Sequence, residues 1–216
     1  MTTRQQVGLR KTHSSMHQRG VERRQALLQA ARELLEEQEI ENVGFRDIAS
    51  RARVPEGSAY HFYANRYDLF TALATELSED FIKAHRRPVP ATRLRCWRDL
   101  AEHLVDVGAS IYRSSAPARQ LLIGAKTPAE VKQADRINDR RVGEVMYEVF
   151  AKHFAIPDSA EMRSAFYYFI EITDLLFMLS LIENNRITSK MVAEAKRAGI
   201  AYLGTYFPTA PKRRMQ

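Results

Sequence analysis

Apolar residues recur along this chain at the three- and four-residue spacing of helices that bury one face. Leu27, Ala31, Leu34 and Leu35 set that rhythm first and predict a helix over about 22–39. Phe45 to Ala52 reads as a short second helix, stopped at Val54-Pro55 because a residue before proline is pushed out of the α region. A third short helix spans about 56–62. Asn65, followed by Asp68, is a candidate N-cap for a longer helix through Leu69, Phe70, Leu73, Leu77 and Phe81, which ends before Pro88 and Pro90.

Beyond that proline pair the pattern predicts a helix from about Thr92 to Arg113 and a short one opening at Pro117. A long helix opens at Thr127-Pro128-Ala129-Glu130, where Thr can cap, Pro suits the first helical position and Glu can reach back to the cap amide. Another runs from Asp158 or Ser159 to about Glu183, and a last one, capped by Thr188 or Ser189, ends before Pro208. No sustained period-two alternation, hairpin dipeptide or internal repeat interrupts the series. The expected fold class is all-α, in four parts: a basic flexible arm over 1–20, a three-helix unit over 21–70 whose linking helix continues to about 87, a larger helical domain over 91–208, and a basic tail over 209–216.

The 216 residues are 45% hydrophobic and 27% charged, enough apolar material for one or two packed units. Lys and Arg number 33 against 26 for Asp and Glu, a net charge of +7 that fits an acidic partner, either nucleic acid or an anionic surface, between which charge alone does not choose. The lone Cys96 excludes an intramolecular disulfide framework and a multi-cysteine zinc site, and suits a reducing cytosol. No apolar run near the N-terminus resembles a signal-peptide core, so a cytoplasmic, nucleoid-associated location is expected. The most apolar stretch, 165–182, contains Glu171 and Asp174, which would each cost a few kcal/mol inside a bilayer; it reads as a buried helix rather than a membrane span.

Two very short helices in tandem behind a longer one are the pattern of a helix-turn-helix. The run Val54-Pro55-Glu56-Gly57-Ser58-Ala59-Tyr60-His61-Phe62-Tyr63-Ala64-Asn65-Arg66-Tyr67-Asp68-Leu69-Phe70 resembles the N-terminal signature of the tetracycline-repressor (TetR) family of bacterial transcription regulators. The resemblance covers 23–70, about a quarter of the chain. It implies a DNA-reading third helix, with Tyr60 and Arg66 at the family's phosphate-binding tyrosine and lysine and with Ser58 and His61 at positions that touch bases or phosphates. Gly44 stands where the family has a capping Thr, Glu56 where it is often basic, Tyr63 for Phe and Ala64 for Pro.

Physical chemistry adds to that resemblance. Gly57 holds no side chain between backbone and DNA. Ile48, Ala49, Val54 and Ala59 would pack the reading helix on its neighbours. Arg66, a cation in a first helical turn, calls for an anion, which a phosphate would supply. Glu56 could accept from a cytosine amine, or could simply be a favourable charge at a helix start. The DNA-contacting set is therefore Arg46, Glu56, Gly57, Ser58, Tyr60, His61 and Arg66. The basic arm is either a solvated tail or a strand laid along DNA.

Residues 160–184 are apolar on nearly every face, and with the final helix call for a second subunit. A homodimer through about 159–184 and 188–206, on a pseudo-palindromic double-stranded operator, is expected. An unidentified small-molecule effector is placed among the helices of 92–177, near Trp97, Tyr112, Tyr147, Phe150, Phe169, Glu171 and Asp174. Glu171 and Asp174 share one helical face. They either look into that cavity, favouring a cationic or hydrogen-bond-donating ligand, or pair with Arg119, Arg140 or Arg141, or lie at the dimer seam. His13 and His17 stand four apart without further ligands, so no metal site is expected, and no cofactor motif is found. Gly124-Ala125-Lys126-Thr127 lacks the upstream glycine and strand of a phosphate-binding loop, and no catalytic motif stands out. A ligand-responsive repressor, not an enzyme, is expected; the alternative is a helical binding protein or enzyme with an incidental helix-turn-helix-like N-terminus.

Overall fold

A computed structural model describes residues 3–90, 92, 94–207 and 211–214, with side chains from residue 18 onward. The helices are α1 (Thr3–Glu37), α2 (Phe45–Arg51), α3 (Glu56–Ala59), α4 (Arg66–His85), α5 (Trp97–Ser114), α6 (Ala116–Leu122), α7 (Ala129–His153), α8 (Ala160–Asn184) and α9 (Ser189–Gly204), with a 3-10 turn at Ile40–Asn42. No strand occurs among the described residues; one antiparallel bridge joins Phe154 and Arg213. The chain divides into two compact units, Met1–Leu73 and Ala74–Gln216, and the boundary falls within α4.

In the first unit, α1 starts at Thr3 rather than near residue 22. Among the residues whose side chains are described, Leu27 is the first buried one, so the apolar rhythm marks a buried face and not where the helix begins. Upstream of Leu27 the chain has no proline and several straight-chain polar residues, which lose little side-chain freedom in a helix. The stretch expected as a flexible arm over 1–20 is thus helical from residue 3. Leu27, Ala31 and Leu35 on α1 and Ile48, Ala49, Val54 and Ala59 on α2, the turn and α3 are all buried and form the core of the unit. Tyr63 is buried as well, with its hydroxyl accepting from Arg24 Nε at 3.1 Å.

The second unit is a helical bundle in which α8 packs on both α7 and α9. Two glycines permit those approaches: a Cβ at Gly143 would meet the Tyr167 backbone nitrogen at 2.9 Å, and one at Gly199 the Phe169 ring at 2.5 Å. Trp97 sits edge-on to Phe207 at 4.8 Å between ring centres, and Phe150 lies 4.9 Å from Phe166. By length and composition α8 could cross a membrane. Here Phe166, Phe169 and Phe177 bury one side of it among protein.

Local chemistry sets the helix ends. Asn65 Oδ1 accepts from the amides of Tyr67 at 2.7 Å and Asp68 at 3.1 Å, and the Ser159 and Thr188 hydroxyls accept from Met162 and Met191. The helix expected from Thr92 begins instead at Trp97, because Asp99 Oδ2 accepts from the amides of Arg95 at 2.7 Å and Cys96 at 3.0 Å. Thr127 does not cap α7. Its hydroxyl donates backward to the carbonyls of Gln120 and Gly124, both at 2.8 Å, and so satisfies the open end of α6. Of the segment expected as a basic tail over 209–216, residues 212–214 pair with the end of α7: Ala155 N donates to Lys212 O and Arg214 N to His153 O, both at 2.8 Å.

Candidate DNA interface and effector cavity

Across the tight turn, α2 and α3 present one exposed polar face. Arg53, the turn residue, adopts a left-handed φ of 54°. α3 is one helical turn that tightens as it ends, with His61 N donating to Ser58 O and Phe62 N to Ala59 O. Gly57 and His61 are exposed and Ser58 is partly so. Tyr60 is half-exposed, its ring tilted on Phe45 at 4.7 Å. A Cβ at Gly57 would meet no atom within 4 Å, so nothing inside the chain requires glycine there.

Two of the expected DNA-contacting residues engage each other. Arg46 Nε donates to Glu56 Oε2 at 3.3 Å, linking α2 to α3 at the surface. Arg66 finds its acceptors within the chain: Nη1 donates to the carbonyls of Val43 at 3.3 Å and Glu41 at 3.5 Å, and Nη2 to the Tyr67 hydroxyl at 3.1 Å. Gly44, in place of a capping Thr, receives a substitute at the same helix end, where its amide donates to Asp47 Oδ2 at 3.1 Å.

In the second unit, a cavity of about 30 Å³ lies among α4, α5, α7 and α8. Tyr112, Phe169 and Asp174, of the residues expected around an effector, line it. Trp97, Tyr147 and Phe150 do not: Trp97 packs on Phe207, Phe150 packs on Phe154 and Phe166, and Tyr147 packs on Phe166 under the Arg163 guanidinium. These rings are ordinary bundle core, as apolar residues at helical spacing usually are. Glu171 is not on the cavity wall; it pairs with Arg136 rather than with Arg119, Arg140 or Arg141.

The polar wall of the cavity joins two residues expected there, Tyr112 and Asp174, to two that the sequence pattern did not single out, Asp139 and Asp135. Tyr112 donates its hydroxyl to Asp174 Oδ2 at 3.0 Å. Asp139 lines the space from α7, and Asp135, one turn earlier, is buried beside it. Burial, and then the neighbouring Asp139 charge, push Asp174 and Asp135 up to about 8; burial raises Asp139 to about 6. The buried His85 ring faces the Phe81 carbonyl at 2.8 Å through Nδ1 and the Leu104 carbonyl at 3.2 Å through Nε2, and desolvation lowers its pKa.

A small helix-turn-helix unit joined to a helical bundle with an internal polar cavity defines a one-component transcription regulator. Family models agree: residues 27–73 match "Bacterial regulatory proteins, tetR family", and residues 95–207 match "Tetracyclin repressor-like, C-terminal domain". The chain belongs to the TetR family of bacterial transcription regulators, and the alternative of an incidental helix-turn-helix-like N-terminus gives way. Solved structures share the fold. A TetR-family transcriptional regulator from Streptomyces coelicolor is 23% identical, with a TM-score of 0.64 over 85% of this chain and 99% of that one. A TetR regulator from Rhodococcus sp. RHA1 is 17% identical, with a TM-score of 0.66 over 87% and 97%. Thermus thermophilus FadR, a repressor solved with lauroyl-CoA, is 15% identical, with a TM-score of 0.59 over 89% and 99%. No curated protein matches the chain in sequence.

Proposed function

We propose that this regulator is a cytoplasmic, nucleoid-bound homodimeric repressor that grips a pseudo-palindromic operator and is released by a small-molecule effector, with no catalytic step. The observation that carries the DNA-binding half is Gly57: a bare, exposed position on α3 that no internal neighbour demands, beside exposed Tyr60 and His61. Tyr60 and Arg66 take phosphate roles. The Arg66 contacts to Glu41 and Val43 pre-orient its guanidinium and leave the Nε donor for a phosphate oxygen. His61, Ser58 and Glu56 read base edges, and Arg46 adds positive charge at the rim.

Support for the dimer comes from α8. Tyr168, Leu175 and Ile182 are exposed and seven residues apart, so they line one face of the helix two turns at a time. A second copy would cover that stripe. The effector occupies the cavity lined by Tyr112, Asp139, Phe169 and Asp174. Its signal passes along α4, which contributes Ser78, Phe81 and His85 to the cavity wall and begins directly behind the DNA-reading turn.

Operator binding by variants tests this reading. Arg66→Ala and Tyr60→Phe are expected to weaken binding to all sequences alike, whereas His61→Ala is expected to change the ranking of operator variants by about 1–3 kcal/mol per lost base contact. Wild-type affinity in all three would remove α3 and Arg66 from the interface.

A further inference from the structure

The acidic wall of the cavity is undercompensated. Two carboxylates, Asp139 and Asp174, line the cavity and two more, Asp135 and Glu171, lie close behind it, while only two cations, Lys132 and Arg136, pair with this group. Lys132 is 3.9 Å from Asp135 and also donates to the Leu122 carbonyl; Arg136 pairs with Glu171 and stands 3.7 Å from Asp139. Asp135 is 2% exposed, and its Oδ1 has no hydrogen-bond partner. Ionising this crowded, partly unpartnered group is costly, and a cation held at Asp139 and Asp174, the two carboxyls that line the cavity, would offset that cost.

Around the carboxylates the walls are aromatic. Phe81, Tyr112, Phe169 and Phe177 line the same space, and ring faces attract cations as carboxylates do. Among the described residues no group of three or more His, Cys, Asp or Glu is placed to hold a metal ion. A bare metal ion would also gain little from phenyl walls. Carboxylates at one side and rings at the other instead fit a molecule with a charged nitrogen on an apolar body.

We propose that the effector is an organic ammonium compound, whose nitrogen is held between Asp139 and Asp174 and whose hydrocarbon part lies against Phe81, Phe169 and Phe177. This rests on the cavity being the effector site. The present volume, about 30 Å³, holds no more than the ammonium head, so the body enters by parting the aromatic side chains.

Entry of the cation also displaces protons. Asp135 and Asp174, raised to about 8, are largely protonated near neutrality in the empty protein, and a cation favours their ionised form. The other ionisable groups facing them are His85 from α4, Tyr112 from α5, Lys132, Arg136 and Asp139 from α7, and Glu171 from α8. Burial lowers the His85 pKa and so favours its neutral form. Ammonium affinity is therefore expected to rise from about pH 6 to about pH 9.

The test is titration calorimetry on the full chain with alkyl- and arylalkyl-ammonium salts, from butylammonium to benzyltrimethylammonium, each paired with its neutral alcohol or hydrocarbon isostere. Ammonium members are expected to bind roughly tenfold or more tightly than their isosteres, and to release operator DNA. Asp139→Asn and Asp174→Asn are expected to remove that preference while raising the melting temperature of the empty protein, an opposite pair of changes that a purely structural carboxylate would not give. Should neutral compounds bind and release operator with no ammonium preferred, the ligand class is wrong and the effector cavity stands. Should no compound of either kind bind or shift operator affinity, the ammonium proposal and the cavity assignment both fall.

Discussion

Arg46 on α2 and Glu56 on α3 form an ion pair at 3.3 Å on the face assigned to DNA, with both side chains open to solvent. An exposed pair of this kind contributes about 0–1 kcal/mol to stability. Its larger effect is to tie up a cation that a phosphate could use. Glu56→Gln is expected to leave the melting temperature nearly unchanged, to raise affinity for non-operator DNA severalfold by freeing Arg46, and to change the ranking of operator variants where Glu56 reads a base. The plot of log affinity against log salt should steepen by about 0.9, the value of one added phosphate contact. Fluorescence anisotropy across a salt series measures both.

Gly57→Ala separates folding from binding. The new methyl group meets no atom within 4 Å, and alanine in a helix is favoured over glycine by about 0.5–1 kcal/mol. Thermal unfolding should be unchanged or slightly higher, while operator affinity falls about tenfold as the methyl holds the backbone off the DNA. Equal affinity would mean that DNA does not approach this position.

Much of this interface was legible in the sequence because its signals are local. Val54-Pro55 fixes the turn, Asn65 caps α4 within three residues, and Ala59 faces inward as its spacing from Val54 demands. The helical arm is not legible because few apolar residues recur at helical spacing upstream of Leu27, so periodicity is silent there while the helix continues. Thr127 was misread because a hydroxyl beside two helix ends can serve either. Asp135 and Asp139 were missed although a signal existed: Val131, Asp135, Asn138, Asp139, Val142, Val145 and Met146 form one continuous inward face of α7, with three polar residues where apolar ones belong. Which aromatics line the cavity was not readable, since Trp97, Phe150 and Phe169 have the same helical spacing and differ only in what packs opposite.

Arg53→Gly is expected to stabilise the protein. A residue with a side chain at φ 54° is strained by roughly 1–2 kcal/mol, and the greater freedom of glycine in the unfolded chain offsets part of that. A gain of about 1 kcal/mol in chemical denaturation should result. The same change at Asn185, also at φ 54°, should gain less because asparagine tolerates the left-handed region.

The carboxylate cluster makes stability fall with rising pH. Asp135 and Asp174 titrate at about 8 and Asp139 at about 6 in the folded protein, against the usual 3.8. Groups with raised folded pKa values contribute stability at low pH, and that contribution is lost as pH passes through those values. The melting temperature should therefore drop from about pH 4, where the unfolded carboxyls begin to ionise, and level off near pH 9, once the folded values are passed. His85, with a lowered pKa, opposes the trend only below its ordinary 6.5. Asp135→Asn should flatten the slope and raise the melting temperature at pH 9; an unchanged slope would mean that these carboxylates ionise normally.

Retention of fragmented genomic DNA from its own genome at ~0.15 M salt, where charges beyond ~8 Å are screened, is the most direct measurement of sequence-specific binding by a dimer. The wild-type chain should enrich a small set of fragments sharing an inverted repeat. Leu175→Arg, which places a charge on the exposed α8 stripe, should remain folded yet sediment as a monomer and enrich none of them. Fragments retained in proportion to their length, with no shared repeat, or full enrichment by a monomer, would contradict it.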